Sequence, residues 1–292
     1  MDIGLIFALL AAASFAGNLV YIRKGTLQSG EPFTAMTIGV FVGTLFFAPV
    51  FIFGVDWGRL WSLPWYVFVS LGVSGVLSFI VGRLLIYRST KSIGANKTSP
   101  LVGTSPVSAV ILGVLLLNEP FTVYLVLGVV FIVAGVTLVS IKKEESTFKM
   151  RGRGVISGLG GAFCYGLSGV LVKVVIGEMG SPFVGVFIAY LATALVMGII
   201  LWHQEQRDQL TQLTRPTLIL LVIAGGFAAL GQAFRFLAFS YSPVSVVEPL
   251  LSTAVLFVFF FSFLLNRSIE VFTWRVFSGM VAIVVGAFLL FQ

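Results

Sequence analysis

Arg235 and Glu248 flank a tight turn, Tyr241-Ser242-Pro243, and each lies about five residues inside an apolar run. The two residues therefore share one depth and can pair across the hairpin. Arg83 is set in the same way in an earlier run, but the position matching Glu248 is Pro100, so Arg83 lacks an equivalent local carboxylate. Two readings of Arg83 stand side by side. It is an unpaired cation open to a substrate carboxylate or phosphate, or its head snorkels to an interface while its stem covers apolar surface. Lys97 and Lys173 are read as snorkelling. Glu248 beside Arg235 is also a candidate carrier for a proton as coupling ion.

Neutral polar groups recur near these charges. Gln232 precedes Arg235 by one turn, and Asn18 and Ser168 occupy matching places in separate runs. Small hydroxyls surround three prolines: Thr98, Ser99, Thr104 and Ser105 lie beside Pro100 and Pro106, and Ser252 and Thr253 follow Pro249. Proline inside a helix removes a backbone hydrogen bond and frees carbonyls that lipid cannot satisfy. Such interruptions at corresponding places of two halves are a pointer to a transporter site. The packing alternative is that these residues only kink and fit the bundle.

Catalytic chemistry finds little support. One cysteine, Cys164, and one histidine, His203, exclude an internal disulfide and leave no metal-ligand spacing. His203 sits at the end of a run beside Gln204 and Glu205 and reads as interfacial. No phosphate-binding Gly-x-x-x-x-Gly-Lys occurs, and no aspartate lies within a run. We expect no enzyme, cofactor or metal, and a net charge of +7 that records membrane orientation, with no nucleic-acid partner.

The elements that must position these residues are membrane helices. Of 292 residues, 58% are hydrophobic and only 10% charged, against about 25% charged in soluble domains. Too few charges remain to cover a water-soluble fold of this size. Ten apolar runs fall near 3–21, 33–54, 65–87, 98–118, 121–141, 154–176, 182–203, 217–240, 243–265 and 271–291. A crossing needs about 20 helical residues. The first run has no basic segment before it and no clear cleavage signal, so it is read as a retained span. Trp57, Trp61, Trp65, Trp202 and Trp274 fit an aromatic belt.

Loop charge sets the orientation. Arg23, Lys24, Arg88, Lys91, Lys97, Lys142, Lys143, Lys149, Arg151, Arg153, Arg207, Arg215 and Arg267 fall on one face, against Arg59 on the other. Positive loops stay cytoplasmic. The reading is a multi-pass protein of the plasma (inner) membrane with both termini extracytoplasmic.

The chain is also an internal duplication. Gly4 to Asn18 aligns with Gly154 to Ser168 at an offset of 150, pairing Phe15 with Tyr165. Ser92 to Asn118 aligns with Ser240 to Asn266 at 148, so Thr104 pairs with Ser252. After Arg267-Ser268-Ile269 the offset becomes 151, pairing Glu119 with Glu270, Gly128 with Gly279 and Gly135 with Gly286. Glycines seven apart lie on one helix face and allow close packing. Gly39 and Gly43, and Gly154 and Gly158, read as packing motifs as well. Five runs per half is an odd number, so the second half enters from the opposite side. We expect an all-α fold of ten transmembrane helices in two inverted five-helix repeats, 1–141 and 154–292, joined by a polar linker, 142–153.

Ser105-Pro106-Val107-Ser108-Ala109, then Leu117-Asn118-Glu119, then Gly128 and Gly135, resemble the EamA-type transporters of the drug/metabolite transporter superfamily. The starts of the two halves, Ala13 to Asn18 and Phe163 to Gly166, add to the likeness, which spans nearly the whole chain. The second half departs from the pattern at Ala254, where Pro106 would map. The resemblance implies a secondary transporter of small metabolites, often an exporter, with a central cavity formed by spans 1, 3, 4, 6, 8 and 9. The candidate cavity residues are Asn18, Arg83, Thr104, Ser105, Tyr165, Ser168, Gln232, Arg235, Glu248 and Ser252. Amino acids and related carboxylates are the favoured cargo. A membrane scaffold or a lipid-modifying enzyme is the alternative.

Overall fold

The computed structural model describes residues 2–29, 32–140, 152–202, 210, 213–265 and 274–291. His203, Arg207, Arg267, Glu270 and most of the linker lie outside the described residues. The described chain is helical throughout. Its helices are α1 (Ile3–Ser29), α2 (Pro32–Gly54), the short α3 (Trp57–Ser62), α4 (Trp65–Val76), α5 (Gly82–Ile93), α6 (Ala95–Val102), α7 (Ser105–Leu117), α8 (Val123–Ser140), α9 (Gly152–Ile176), α10 (Pro182–Ile200), α11 (Arg215–Tyr241), α12 (Val244–Leu251), α13 (Ala254–Leu265) and α14 (Trp274–Leu289).

Eight helical stretches are long and apolar enough to cross a membrane: Ile3–Gly25, Phe33–Gly54, Trp65–Ile93, Lys97–Leu117, Gly152–Ile176, Pro182–Ile200, Arg215–Tyr241 and Val244–Phe261. The fifth and tenth runs of the sequence form the shorter apolar helices Val123–Val139 and Trp274–Leu289. Sixteen residues in α14 make roughly 24 Å, less than the ~30 Å hydrocarbon thickness.

Two of the apolar runs are broken where the prolines and hydroxyls cluster. The fourth is split between α6 and α7 at Gly103 and Thr104, with Pro106 in the first turn after the break. The ninth is split between α12 and α13 at Ser252 and Thr253, after Pro249. The third contains a π-type turn at Leu77–Val81 between α4 and α5. Such single-turn insertions rotate the residues that follow and often mark functional positions. Gly94 links α5 to α6 at φ 85, a backbone conformation that side chains rarely adopt.

Glycine faces decide which helices meet. A Cβ on Gly135 would lie 2.6 Å from the Gly279 carbonyl oxygen, and one on Gly286 would lie 2.6 Å from that of Gly128. The pairs 128–286 and 135–279 make α8 and α14 antiparallel along one seam. Because Gly128 corresponds to Gly279 and Gly135 to Gly286, exchanging the two helices maps this seam onto itself. Helix α9 carries a second row: Gly154 meets Ile93, Gly158 meets Leu101, Gly161 meets Ile86, Gly166 meets Ala109 and Gly169 meets Glu248. Small side chains let backbones approach where lipid offers no hydrophobic drive for helix association.

The outer surface is apolar, with Phe53, Leu115, Phe121 and Ile199 exposed, as suits contact with lipid. The five tryptophans are exposed near helix ends, Trp57, Trp61 and Trp65 at the end carrying α3 and Trp202 and Trp274 at the opposite end.

Candidate functional site

Arg83 follows the π-type turn and lies ten residues before the end of α5 at Ile93. Helix α5 continues past the apolar run through Arg88 and Lys91, so Arg83 lies only about five residues inside that run. Arg83 faces an interior cavity of about 10 Å³ lined also by Asn18, Met36, Gly39, Phe79 and Tyr190. Its guanidinium lies within electrostatic reach of Tyr165 from α9. Gly82 leaves room for that tyrosine, its would-be Cβ lying 3.2 Å from the ring. Among the described residues no carboxylate pairs with Arg83.

The opposite wall is aromatic. Tyr190 comes from the middle of α10, is 1% exposed, and stacks on Phe79 at 4.7 Å and Phe47 at 6.1 Å between ring centroids. Gly43 makes space for its ring. Its hydroxyl is buried and has no hydrogen-bond partner. Asn18 is buried and donates its amide N–H to the Ala224 carbonyl at 2.8 Å, joining α1 to α11. Of the motif Gly39 and Gly43, only Gly43 packs against a side chain; a Cβ on Gly39 would meet nothing within 4 Å. Gly39 is part of the cavity floor.

Arg235 and Glu248 pair as their equal depth suggests. Arg235 Nε donates to Glu248 Oε1 at 2.9 Å, and Nη2 reaches the same oxygen. Both side chains are buried. Gln232 Oε1 accepts from Arg235 Nη1 at 3.4 Å, and the guanidinium carbon lies 5.1 Å from the centre of the Phe239 ring. Gly169 makes the pocket for this pair, since a Cβ there would lie 2.6 Å from Glu248 Oε1. Arg235 also lies within electrostatic reach of Tyr165.

Beside Gly169, Ser168 Oγ accepts from Ser78 Oγ at 2.6 Å and lies 3.2 Å from Ser74 Oγ, a buried hydroxyl cluster across α4, the π-type turn and α9. The candidates thus fall into an Arg83 group with Asn18 and Tyr165, and an Arg235 group with Gln232 and Glu248, with Ser168 adjoining the latter. Thr104, Ser105 and Ser252 are half-buried at the helix breaks and do not line the Arg83 cavity. Thr104 Oγ1 donates to the Leu101 carbonyl at 2.6 Å.

The end of the bundle that carries α3 is laced by polar contacts. Glu119 accepts from the backbone N–H groups of Val244 at 2.7 Å and Ser245 at 2.8 Å, capping α12. Lys173 does not snorkel; it donates to the Phe239 and Ser242 carbonyls at 2.6 and 2.9 Å, closing the C-terminus of α11. Cations there complement the helix dipole. Arg59 donates to the Glu178 carbonyl at 3.1 Å, and the Tyr66 hydroxyl donates to the Glu178 carboxylate at 2.8 Å. Sequence reasoning missed the Glu119 cap, the serine cluster and Tyr190. A lone tyrosine within the apolar run of α10 was the available signal for the last.

Comparison with known proteins agrees with this geometry. A family model described as the EamA-like transporter family matches residues 2–141 and again 152–292. The "Uncharacterized transporter in cobO 3'region" of Sinorhizobium sp. is 31% identical over 135 residues, covering 46% of this chain and 94% of its own. A solved crystal structure superposes with a TM-score of 0.76 at 16% identity, over 98% of this chain and 95% of its own, a likeness of fold. With both halves matched, an all-helical multi-pass architecture and an interior polar cavity, the chain belongs to the EamA-like transporter family.

Proposed function

We propose that this protein is a secondary transporter that carries small polar or amphipathic metabolites, amino acids and related carboxylates, outward by alternating access. The observation that carries this reading is Arg83: a cation within a membrane helix, facing an interior cavity, with no carboxylate partner among the described residues. Ionisable residues within membrane helices are costly and rare, which favours a functional role. Its counterpart in the second half, Arg235, holds Glu248, and this pair models what Arg83 lacks. In this reading the substrate supplies the missing carboxylate.

Ten helices in two inverted repeats, 1–141 and 154–292 with the 142–153 linker between them, are proposed as the mechanical basis. The self-consistent glycine seam of α8 and α14 supports this arrangement, because an exchange of antiparallel equivalent helices needs an axis in the membrane plane. The basic loops mark the cytoplasmic side of the plasma membrane, leaving both termini outside. Ile22 and Ala35 place the cavity in the half nearer the basic α1–α2 connection, while the α3 end is laced shut. That arrangement suits loading from the cytoplasm. The proposed coupling ion is a proton, with Glu248 as its carrier, and Thr104, Ser105 and Ser252 are proposed to join the pathway at the helix breaks.

The test is flux through the purified chain in proteoliposomes. The wild type should move small labelled carboxylates across the bilayer, and Arg83→Gln should lose that flux while remaining folded. A wild type that moves none of them would leave the transport reading without support.

A further inference from the structure

We infer that the Arg83 cavity selects small carboxylates that carry no ammonium group, with the Tyr190 hydroxyl sharing the carboxylate with Arg83. This rests on the reading of Arg83 as a carboxylate site and narrows it.

Tyr190 is the first support. A buried hydroxyl without a partner forfeits hydrogen bonds that water would have supplied, so each such group calls for an explanation. The ring has no freedom to turn its hydroxyl elsewhere, being held between Phe47 and Phe79 and fitted against Gly43. It lines the same cavity as Arg83. A carboxylate oxygen arriving there accepts from Tyr190 while its second oxygen meets the guanidinium. The substrate thereby satisfies the orphaned donor and the unpaired cation together.

The lining also excludes a second charge. Among its described residues there is no aspartate or glutamate. Glu248, a buried carboxylate outside this lining, is engaged by two nitrogens of Arg235. Asn18 spends an N–H on Ala224 and offers at most a neutral oxygen. An α-ammonium would be desolvated beside Arg83 without a counter-charge, an arrangement proteins avoid. What remains of the wall, Ile22, Val40, Phe79 and Ala228, suits a short aliphatic tail. About 10 Å³ of free volume holds no more than a water in this conformation, so the walls must part to admit even a short tail.

The experiment uses calorimetry on the full purified chain with three probes of related skeleton: isovalerate, valine and isobutylamine. Isovalerate should bind, valine should bind at least about tenfold more weakly, and isobutylamine should give no heat of binding. Tyr190→Phe should weaken isovalerate roughly tenfold or more, the scale of one hydrogen bond to a charged group, yet leave the ligand-free melting temperature unchanged or raised. A purely structural tyrosine would not produce that split. Valine bound as tightly as isovalerate, or Tyr190→Phe with unaltered affinity, overturns this inference while leaving the carboxylate site standing. Isovalerate affinity that survives Arg83→Gln, or no binding by either acid, overturns the proposed function itself.

Discussion

Glutamine at position 248 keeps the shape of the side chain but leaves the Arg235 guanidinium, 5% exposed, without a counter-charge. Breaking a buried pair from one side costs about 3–5 kcal/mol. Here the Gln232 oxygen at 3.4 Å and the Phe239 ring face at 5.1 Å offset part of the loss, which places the expected cost near the lower bound, about 3 kcal/mol. Arg235→Gln leaves Glu248 equally bereft and should cost about as much. The double variant contains no lone charge and two amides that can bond each other, so it should recover about 2 kcal/mol relative to the sum of the single changes. The assay is a double-mutant cycle on melting temperature in detergent, where each single change should lower the midpoint by on the order of 10 °C. Strict additivity would mean that the two residues do not depend on each other, and the argument from shared depth would be wrong.

The glycine seam makes a second contrast. Gly135→Ala or Gly286→Ala forces a Cβ against backbone oxygen and should destabilise by about 1–3 kcal/mol, whereas Gly39→Ala meets open space and should stabilise by up to ~1 kcal/mol; equal effects on melting at all three positions would remove the seam from the account. In a Cys164→Ala background, cysteines replacing Thr104, Ser105 and Ser252 should react with a water-soluble thiol reagent and be protected by substrate, while inertness in a folded protein would make these hydroxyls packing groups only. A C-terminal reporter active only in the cytoplasm should be dark in cells, and a bright one would reverse the proposed orientation.

Much of the architecture was written in local pattern. Uninterrupted apolar runs mark helices because lipid leaves the backbone no other way to satisfy itself. Pro100, Pro106 and Pro249 announce the breaks in the fourth and ninth apolar runs, and glycines seven apart announce the α8–α14 seam. Arg235 and Glu248 could be paired because a short hairpin sets their relative depth. The Arg83 cavity was harder to see. Its lining comes from α1, α2, α5, α10, α11 and the π-type turn, and that turn alters the register that a regular 3.6-residue period would give. Tyr190 acquires its meaning only from what lacks contact with its hydroxyl. Hydroxyls beside prolines report where a helix breaks, but not the direction they face, so Thr104, Ser105 and Ser252 fall outside the cavity that Asn18 and Arg83 share. Lys173 misled for a related reason: an apolar run ending in a lysine says nothing of the neighbouring helix terminus that receives it.

Counterflow tests the central claim most directly. Proteoliposomes preloaded with unlabelled isovalerate are diluted into a trace of labelled isovalerate, with no other gradient imposed. A carrier that exposes the Arg83 site to one side at a time should accumulate label transiently above its equilibrium level, and Arg83→Gln should abolish the overshoot. Monotonic entry to equilibrium, or no entry at all, from folded wild-type protein would contradict alternating access at this site.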